Sequence, residues 1–210
     1  IFIEKEVAED LLKKTEETLK TIKGKKNKPT HLLLSLKSNI LLPMASTETV
    51  ILGKEEIAHK LKRIAYQIYE ANISQEEVVI AGIKANGYIF AEKLKTAVEK
   101  ISPIKVTLCE VTMDKKNPIN PITTSLKPEA YQNKSLLLVD DVLHSGTTLI
   151  YAVKHFLEVP LKQFKTAVLV DRNHKKYPIK ADYKGISLST SINENVAVIF
   201  EPGNTRAILE

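Results

Sequence analysis

Cysteine is almost absent from the sequence, since Cys109 is the single example among 210 residues. An internal disulfide is therefore excluded. A lone cysteine in a chain with 31 lysines and arginines predicts a reducing, cytoplasmic setting. The apolar fraction of 43% is sufficient for a sizeable core.

Long apolar runs are also missing. The best candidate, HLLLSLKSNILLP at 31–43, is interrupted by Lys37 and Asn39 and falls short of the roughly 18–20 residues that span a bilayer. It also lies too far into the chain for a simple secretory signal. The sequence shows no metal-ligand cluster, internal repeat or low-complexity tract. No membrane association is therefore expected.

The charge is moderately basic, with a formal net value of +6. This excess fits an anionic ligand such as a phosphate ester or RNA. A basic excess that only keeps the protein in solution explains the charge equally well.

Residues 1–43 differ from the remainder of the chain. The segment VAEDLLKKTEETLKTIKGKKNKP (7–29) is typical of a charged helix that ends near Gly24 in a basic linker. Met44 is followed by a sequence that resembles an ordinary translation start. We therefore expect an N-terminal extension over 1–43, helical or disordered and possibly foreign to the native protein, before a domain over 44–210. Native peptides upstream of Met44 in a mass spectrum would contradict a start at that residue.

From residue 53 onward, helical and extended patterns alternate. Helices are predicted over 54–72, 88–101 and 148–159. Strands are predicted over 77–83, 104–113, 135–143, 165–171 and 196–200. The proline-containing stretch 114–134 predicts a long loop. Alternating helices and apolar strands indicate an α/β fold whose parallel sheet is covered on both faces, with ligands beyond the carboxyl ends of the strands.

The stretch LLLVDDVLHSGTT (136–148) places two carboxylates and a small-residue turn at such an end. Asp140 and Asp141 are expected where the strand leaves the sheet. The turn that follows leads into a helix, whose unsatisfied N–H groups favour a phosphate. The carboxylates would repel that phosphate, so we expect them to bind ribose hydroxyls or Mg²⁺ on the same ligand. The alternative is that both aspartates only cap the following segment.

These residues resemble the binding motif for 5-phosphoribosyl 1-pyrophosphate (PRPP) of type I phosphoribosyltransferases. The stretches IAGIKANGYIFAEKL (80–94) and AVLVDRNHKKYPIKADYKG (167–185) are similar to the family of bifunctional pyrimidine-operon regulators and uracil phosphoribosyltransferases, PyrR. The resemblance covers about residues 50–200. It implies a central parallel sheet with helices on both faces and a small hood.

The resemblance also implies a reaction, in which PRPP and a nucleobase, most simply uracil, give a nucleoside monophosphate and pyrophosphate with Mg²⁺. Asp140 and Asp141 would act at the ribose and hold the metal. The 5-phosphate would bind at Ser145, Gly146, Thr147 and Thr148. The pyrophosphate would bind at Lys84, Ala85, Asn86 and Gly87, although such a turn is more often only a connector. The base would bind at Asp182 and Tyr183, although Tyr183 could equally be a core aromatic.

His144 is a further candidate, because a histidine near the base can exchange a proton at neutral pH. A simple polar contact is the more common role of a loop histidine. The sequence also departs from the family pattern, which typically has arginine at Asn86 and at Thr147. The 114–134 loop lacks the usual Tyr-Arg-Asp-Asp run and offers Lys115 and Lys116 instead. Losing arginines removes bidentate contacts that lysine does not replace.

The resemblance further implies RNA as a partner, because relatives regulate pyrimidine genes. A basic strip of Arg172, His174, Lys175 and Lys176 is the candidate surface, and a solvated loop explains the same residues. Three readings stay open: an enzyme, an RNA-binding regulator that senses nucleotides, and a family member that binds nucleotide without turnover. A purine base is an alternative to uracil. A homodimer or larger homo-oligomer is expected from the relatives.

Overall fold

A computed structural model describes residues 48–173, 175–189 and 194–209. The expected extension over 1–43, the boundary before Met44 and the candidate His174 all lie outside these residues. In the described part of the chain, no helix has the length and apolarity that a bilayer crossing requires.

In chain order the described elements are β1 (Thr49–Leu52), α1 (Lys54–Ala71), β2 (Glu77–Ile83), α2 (Asn86–Ile101), β3 (Lys105–Thr112), β4 (Thr123–Thr124), α3 (Pro128–Tyr131), β5 (Ser135–Leu143), α4 (Thr147–Phe156), β6 (Gln163–Arg172), β7 (Tyr183–Leu188), β8 (Val196–Glu201) and β9 (Asn204–Leu209). From β1 to β6 the described strands and helices alternate, as the apolar pattern predicts, apart from the short β4, and β6 is followed by three further strands.

Six of the described strands form the central sheet, in the order β4-β3-β2-β5-β6-β7. All neighbours are parallel except the short β4, which runs antiparallel to β3. β5 lies in the middle because its residues are apolar and buried from Leu136 to Val139. Its carboxyl end, and the residues that follow, therefore lie at the centre of one sheet edge.

Helices cover both faces of this sheet, and side chains alternate between the two cores with the strand period of two. On β2, Val78 and Ile80 join the core beneath α1 and α2. Val79 and Ala81 join the opposite core, to which α4 contributes. Both faces are therefore apolar, which explains the continuous apolar runs in the sequence.

The remaining described strands, β1, β9 and β8, form a small antiparallel sheet in that order. Leu52, Val198 and Ala207 on these strands pack into the same core as α1 and α2. This sheet is the small hood that the family resemblance implies.

The α/β architecture is confirmed, and β2 and β5 have their predicted bounds. Three details differ. The strand predicted at 196–200 belongs to the antiparallel sheet instead of the parallel one. The 114–134 stretch contains β4 and α3, because Thr123–Thr124 pairs with β3 and the buried Tyr131 packs edge-on against Phe156. The strands β1, β7 and β9 have no counterpart in the sequence-based prediction.

Candidate active site

A pocket of about 330 Å³ opens at the carboxyl ends of the central strands β5 and β6. Its walls combine the aspartate pair, part of the turn before α4, a loop lysine, a strand-end arginine and the start of β8. The lining residues are Lys115, Asp140, Asp141, Val142, His144, Ser145, Thr148, Arg172, Asn195 and Val196.

Asp140 and Asp141 lie within β5, at the point where the strand leaves its neighbour β2. The pairing of β5 with β2 ends at Val139, but its pairing with β6 continues to Leu143. The aspartates are therefore held by a strand on one side and open to the pocket on the other. The pairing with β6 therefore holds the backbone of both aspartates in place. Side chains that only cap the next segment would not need this support.

Asp140 is 3% exposed, so its charge is largely removed from water. This burial, together with the neighbouring Asp141 carboxylate, holds the pKa of Asp140 well above its ordinary value. The Lys115 ammonium acts in the opposite direction from 3.9 Å, and Asp140 Oδ1 accepts a hydrogen bond from the Asp141 N–H at 3.0 Å. The pocket therefore contains a buried carboxylate that a cation or hydroxyl donors on a ligand would stabilise.

Asp141 is oriented by Asn86, the first residue of α2. The Asn86 side-chain Nδ2 donates to Asp141 Oδ2 at 3.1 Å and to the Val198 carbonyl oxygen at 2.8 Å. Asn86 therefore connects the carboxylate to the small antiparallel sheet.

Gly87 lies directly against Asp140. A Cβ at Gly87 would stand 2.9 Å from Asp140 Oδ1 and 3.1 Å from the Val139 carbonyl oxygen. The start of α2 can approach β5 this closely only because the residue has no side chain.

The turn before α4, where a phosphate is expected, has a geometry that favours an anion. Gly146 is the residue before the helix and has φ +82°, a conformation that glycine adopts without strain. The Ser145 and Thr147 hydroxyls lie 2.9 Å apart, and the Thr147 N–H donates to Ser145 Oγ at 3.3 Å. Hydroxyl groups and the positive end of the helix dipole thus converge where an anion is favoured.

This turn is supported from below by the segment that follows β6. The Ser145 carbonyl oxygen accepts hydrogen bonds from the N–H groups of Lys176 at 2.8 Å and Tyr177 at 3.2 Å. A Cβ at Gly146 would meet Ile179 Cγ2 at 2.6 Å. Lys176, Tyr177 and Ile179 therefore support this turn.

Only the second half of the candidate pyrophosphate loop (84–87) lies next to the aspartates. Asn86 and Gly87 contact Asp141 and Asp140, as described above. Lys84 is exposed and its Nζ lies 3.6 Å from Glu110 Oε1. Ala85 has φ +72°, an uncommon conformation for a residue with a Cβ. The loop is thus strained and close to the pocket, although it does not line it.

Asp182 and Tyr183 are not brought to the pocket, in contrast to the base-binding role inferred from the resemblance. Tyr183 begins β7 opposite Ala167, midway along β6, and neither Asp182 nor Tyr183 lines the pocket. Asp182 Oδ2 accepts hydrogen bonds from the Thr166 N–H at 2.9 Å and the Thr166 hydroxyl at 3.2 Å. Tyr183 packs against the core beneath α1 and α2. These contacts support the alternative reading of Tyr183 as a core aromatic.

The described residues of the basic strip do not share one exposed surface. Arg172 is 2% exposed and lines the pocket, so it is not part of an outer surface. Lys175 forms an ion pair with the buried Asp171 at 2.9 Å. Lys176 is exposed.

Sequence reasoning did not assign four of the lining residues to the pocket, namely Val142, Arg172, Asn195 and Val196. Arg172 carried a signal, since a charged residue directly after an apolar strand belongs to the functional edge of a parallel sheet. Asn195 and Val196 carried none, because their position depends on how the antiparallel sheet packs. Lys115 had been noted as a replacement for missing arginines, and the structure places it opposite Asp140. His144 is exposed at the pocket rim.

The two aspartates fit a divalent metal that is shared with a ligand. Among the described residues, no group of three or more histidine, cysteine, aspartate or glutamate side chains is placed to hold a metal alone. Mg²⁺ commonly binds through one or two carboxylates and completes its shell with substrate oxygens and water. The buried, poorly compensated charge of Asp140 is consistent with such an ion.

Comparison with known proteins agrees with this geometry. The profile of the phosphoribosyl transferase domain matches residues 49–201, which include every element of the pocket. The chain belongs to the type I phosphoribosyltransferase family. Proteins of this family named bifunctional protein PyrR are similar over most of their length. That of Citrifermentans bemidjiense is 34% identical over 77% of this chain and 97% of the relative, and that of Bacillus pumilus is 34% identical over 72% and 89%.

Solved structures confirm the phosphoribosyltransferase fold. A hypoxanthine phosphoribosyltransferase of Trypanosoma cruzi superimposes with a TM-score of 0.64 at 18% identity, covering 77% of this chain and 95% of that one. A hypoxanthine-guanine phosphoribosyltransferase of Bacillus anthracis gives a TM-score of 0.63 at 19% identity, covering 76% and 96%.

Proposed function

We propose that this family member transfers the phosphoribosyl group of PRPP to uracil. The observation that carries the proposal is that the aspartate pair and the turn before α4 line the same pocket. The turn at Ser145–Thr148 suits the 5-phosphate, and the carboxylates of Asp140 and Asp141 suit the ribose hydroxyls at the opposite end of the same sugar phosphate.

In this reaction, the bond between ribose C1 and the pyrophosphate oxygen breaks, and a bond from C1 to a base nitrogen forms. The base loses the proton of that nitrogen, and pyrophosphate leaves with the bonding electrons. Positive charge develops on the sugar ring in between, and preorganised carboxylates stabilise such charge. Mg²⁺ would be held by Asp140 and Asp141 and would neutralise charge on the substrate oxygens.

The remaining charged lining residues are placed to support the leaving group. Lys115 and Arg172 provide positive charge in a pocket whose carboxylates would otherwise repel pyrophosphate. His144 at the rim is available as a proton acceptor or as a polar contact for the base. Holding both reactants in one geometry supplies much of the rate enhancement in a reaction of this kind.

The choice of uracil rests on the sequence resemblance, whereas the enzymes of similar structure from Bacillus anthracis and Trypanosoma cruzi are named for hypoxanthine and guanine and for hypoxanthine. The test is pyrophosphate release from PRPP and Mg²⁺ with uracil, hypoxanthine, guanine and xanthine, each supplied alone. A double Asp140→Asn/Asp141→Asn variant gives the background. Pyrophosphate release with uracil alone supports the proposal. Release with a purine alone overturns the choice of uracil as the base. No release from a protein that still binds UMP indicates a family member without turnover.

RNA binding is a second proposal, and the exposed Lys176 together with Lys180 supports it. Because phosphate contacts release counterions, affinity for RNA through these lysines would fall steeply with salt. If RNA affinity depends on salt concentration equally in the wild type and in a Lys176→Gln/Lys180→Gln variant, the proposal is contradicted. A cytoplasmic location stays a prediction from the composition, and a homo-oligomeric state stays a prediction from the relatives.

A further inference from the structure

Asn86 makes contacts that differ from those expected of a pyrophosphate-binding residue. Its side-chain amide has two N–H groups, and the two acceptors within reach are Asp141 Oδ2 at 3.1 Å and the Val198 carbonyl oxygen at 2.8 Å. Because both neighbours only accept hydrogen bonds, the NH₂ group must face them. Both donors are therefore occupied inside the protein and are not directed at an anion.

The same contacts join three elements that are distant in sequence. Asn86 begins α2, Asp141 lies on β5, and Val198 lies on β8, which is 112 residues further along the chain. Val196, two residues before Val198, lines the pocket. The amide therefore connects the carboxylate to the wall that encloses it.

The electrostatic effect of this bridge differs from that of a cation. A neutral amide stabilises one oxygen of Asp141 by a hydrogen bond and leaves its negative charge uncancelled. An arginine at the same place would offer bidentate contacts to an anion. The positive charge for a leaving group is then left to Lys115 and Arg172 on other walls of the pocket.

We propose that the Asn86 side chain is a positioning group that fixes the Asp141 carboxylate and the β8 wall, and that its amide does not bind pyrophosphate. This inference rests on the proposed function, because it assigns Asp141 to the ribose. It separates two roles within one loop: the ribose end of the substrate depends on Asn86, whereas the pyrophosphate end does not.

The test compares two ligands that report on the two ends of the pocket. Binding of UMP and of inorganic pyrophosphate, each with Mg²⁺, is measured by calorimetry on the full chain for Asn86→Ala and for Asn86→Leu, which keeps the bulk without donors. A hydrogen bond to a charged group contributes enough that UMP affinity should fall about tenfold in both variants. Pyrophosphate affinity should change by less than about twofold, because its contacts are intact.

A matched control is Asn204→Ala, which removes an asparagine amide bond of 3.1 Å to Glu201 within the same antiparallel sheet. It should leave both affinities unchanged. Three results for the Asn86 variants would overturn the inference. The first is weaker pyrophosphate binding with unchanged UMP binding, the second is an equal loss of affinity for both ligands, and the third is no change in either affinity.

Amide hydrogen exchange tests the bridge without any ligand. Peptides that cover Val196–Glu201 should exchange at least about threefold faster in Asn86→Leu than in the wild-type chain, since β8 loses its connection to α2. Unchanged exchange would overturn the bridge. A wild-type chain that binds neither UMP nor pyrophosphate would instead overturn the proposed function, and the exchange result would still decide the role of Asn86.

Discussion

At the scale of single residues, the burial of Asp140 places a charge that the proposed function uses where that charge lowers the stability of the fold. Its burial raises the pKa of the carboxyl, so between the ordinary and the raised pKa the folded chain holds a proton that the unfolded chain has released. The free energy of unfolding therefore decreases as pH rises through this window, and above it the full cost of the buried charge is present. The site thus holds a charge that weakens the fold in the absence of a cation.

Asp140→Asn should consequently stabilise the metal-free protein. We expect the free energy of unfolding to rise by about 1 kcal/mol at pH 8, and the gain to vanish below the ordinary pKa of aspartate. Denaturant unfolding in the presence of a chelator at both pH values measures this difference. Asp141→Asn is the comparison, since Asp141 is less buried and accepts the Asn86 bond, and no gain is expected there. A variant that is less stable than the wild type at pH 8 would contradict this account of Asp140.

Gly87→Ala should disturb the same carboxylate by contact alone. The added methyl group would stand 2.9 Å from Asp140 Oδ1 and 3.1 Å from backbone, so α2 or β5 must shift. We expect a loss of about 1–3 kcal/mol in unfolding free energy and a loss of UMP binding. Gly53→Ala is the control, because its Cβ would meet only Glu56 Oε2 at 3.6 Å. Equal stability of the two variants would show that the approach of α2 to β5 is not tight.

The residues of the site were predictable to different degrees. Asp140, Asp141 and the turn at Ser145–Thr148 stand together in the sequence, so a local motif was sufficient to find them. The partner of Asn86 was not predictable, because Val198 is brought close only by tertiary packing. The position of Tyr183 depends on its register with Ala167, which carries no local signal either.

At the scale of elements, the edge strand β7 is held by helix α1. The Arg63 Nη2 donates to the carbonyl oxygens of Lys184 at 2.6 Å and Gly185 at 2.9 Å. An arginine that covers carbonyl groups on an edge strand both satisfies them and blocks pairing with another chain. The contact fixes the edge of the sheet beyond β6, which carries Arg172 into the pocket.

Arg63→Leu should therefore loosen this edge. Because Arg63 is largely exposed, we expect a modest loss of about 1 kcal/mol in unfolding free energy. Hydrogen exchange in peptides over Tyr183–Leu188 should increase at the same time. Lys62→Leu, on the exposed surface of the same helix, is the matched control. If both variants behave alike, the two hydrogen bonds do not hold β7.

Elements were predictable where burial is continuous along a strand or periodic along a helix. β2 and β5 are buried over most of their length, and the apolar runs mark their ends. β7 and β9 are only half-buried, so their sequences lack a clear run. The assignment of β8 to the antiparallel sheet follows from its pairing with β9, which composition does not reveal.

At the scale of the whole molecule, the hydrogen bonds of Asn86 to Asp141 and Val198 join the central sheet to the antiparallel sheet, and both sheets contribute residues to the pocket. A ligand that fills it should therefore stabilise the described domain as a unit. Saturation at about a hundredfold over the dissociation constant contributes about 2.7 kcal/mol. For a chain of this size, the midpoint of thermal unfolding should rise by about 5–10 °C.

PRPP with Mg²⁺ should give this shift, whereas PRPP with a chelator should give a much smaller one, since the carboxylates then face the substrate without a cation. Differential scanning calorimetry of the wild type and the double Asp140→Asn/Asp141→Asn variant measures both. Equal shifts with and without Mg²⁺ in the wild type would show that the aspartate pair does not hold the metal.

The central claim is that this pocket forms a bond between ribose C1 and a base. The most direct measurement is the conversion of isotope-labelled uracil to UMP by the full chain with PRPP and Mg²⁺, followed by separation of base from nucleotide. The account predicts labelled UMP that accumulates with time in the wild type and is lost in the Asp140→Asn/Asp141→Asn variant. No labelled UMP from the wild type, or equal amounts from wild type and variant, would contradict it.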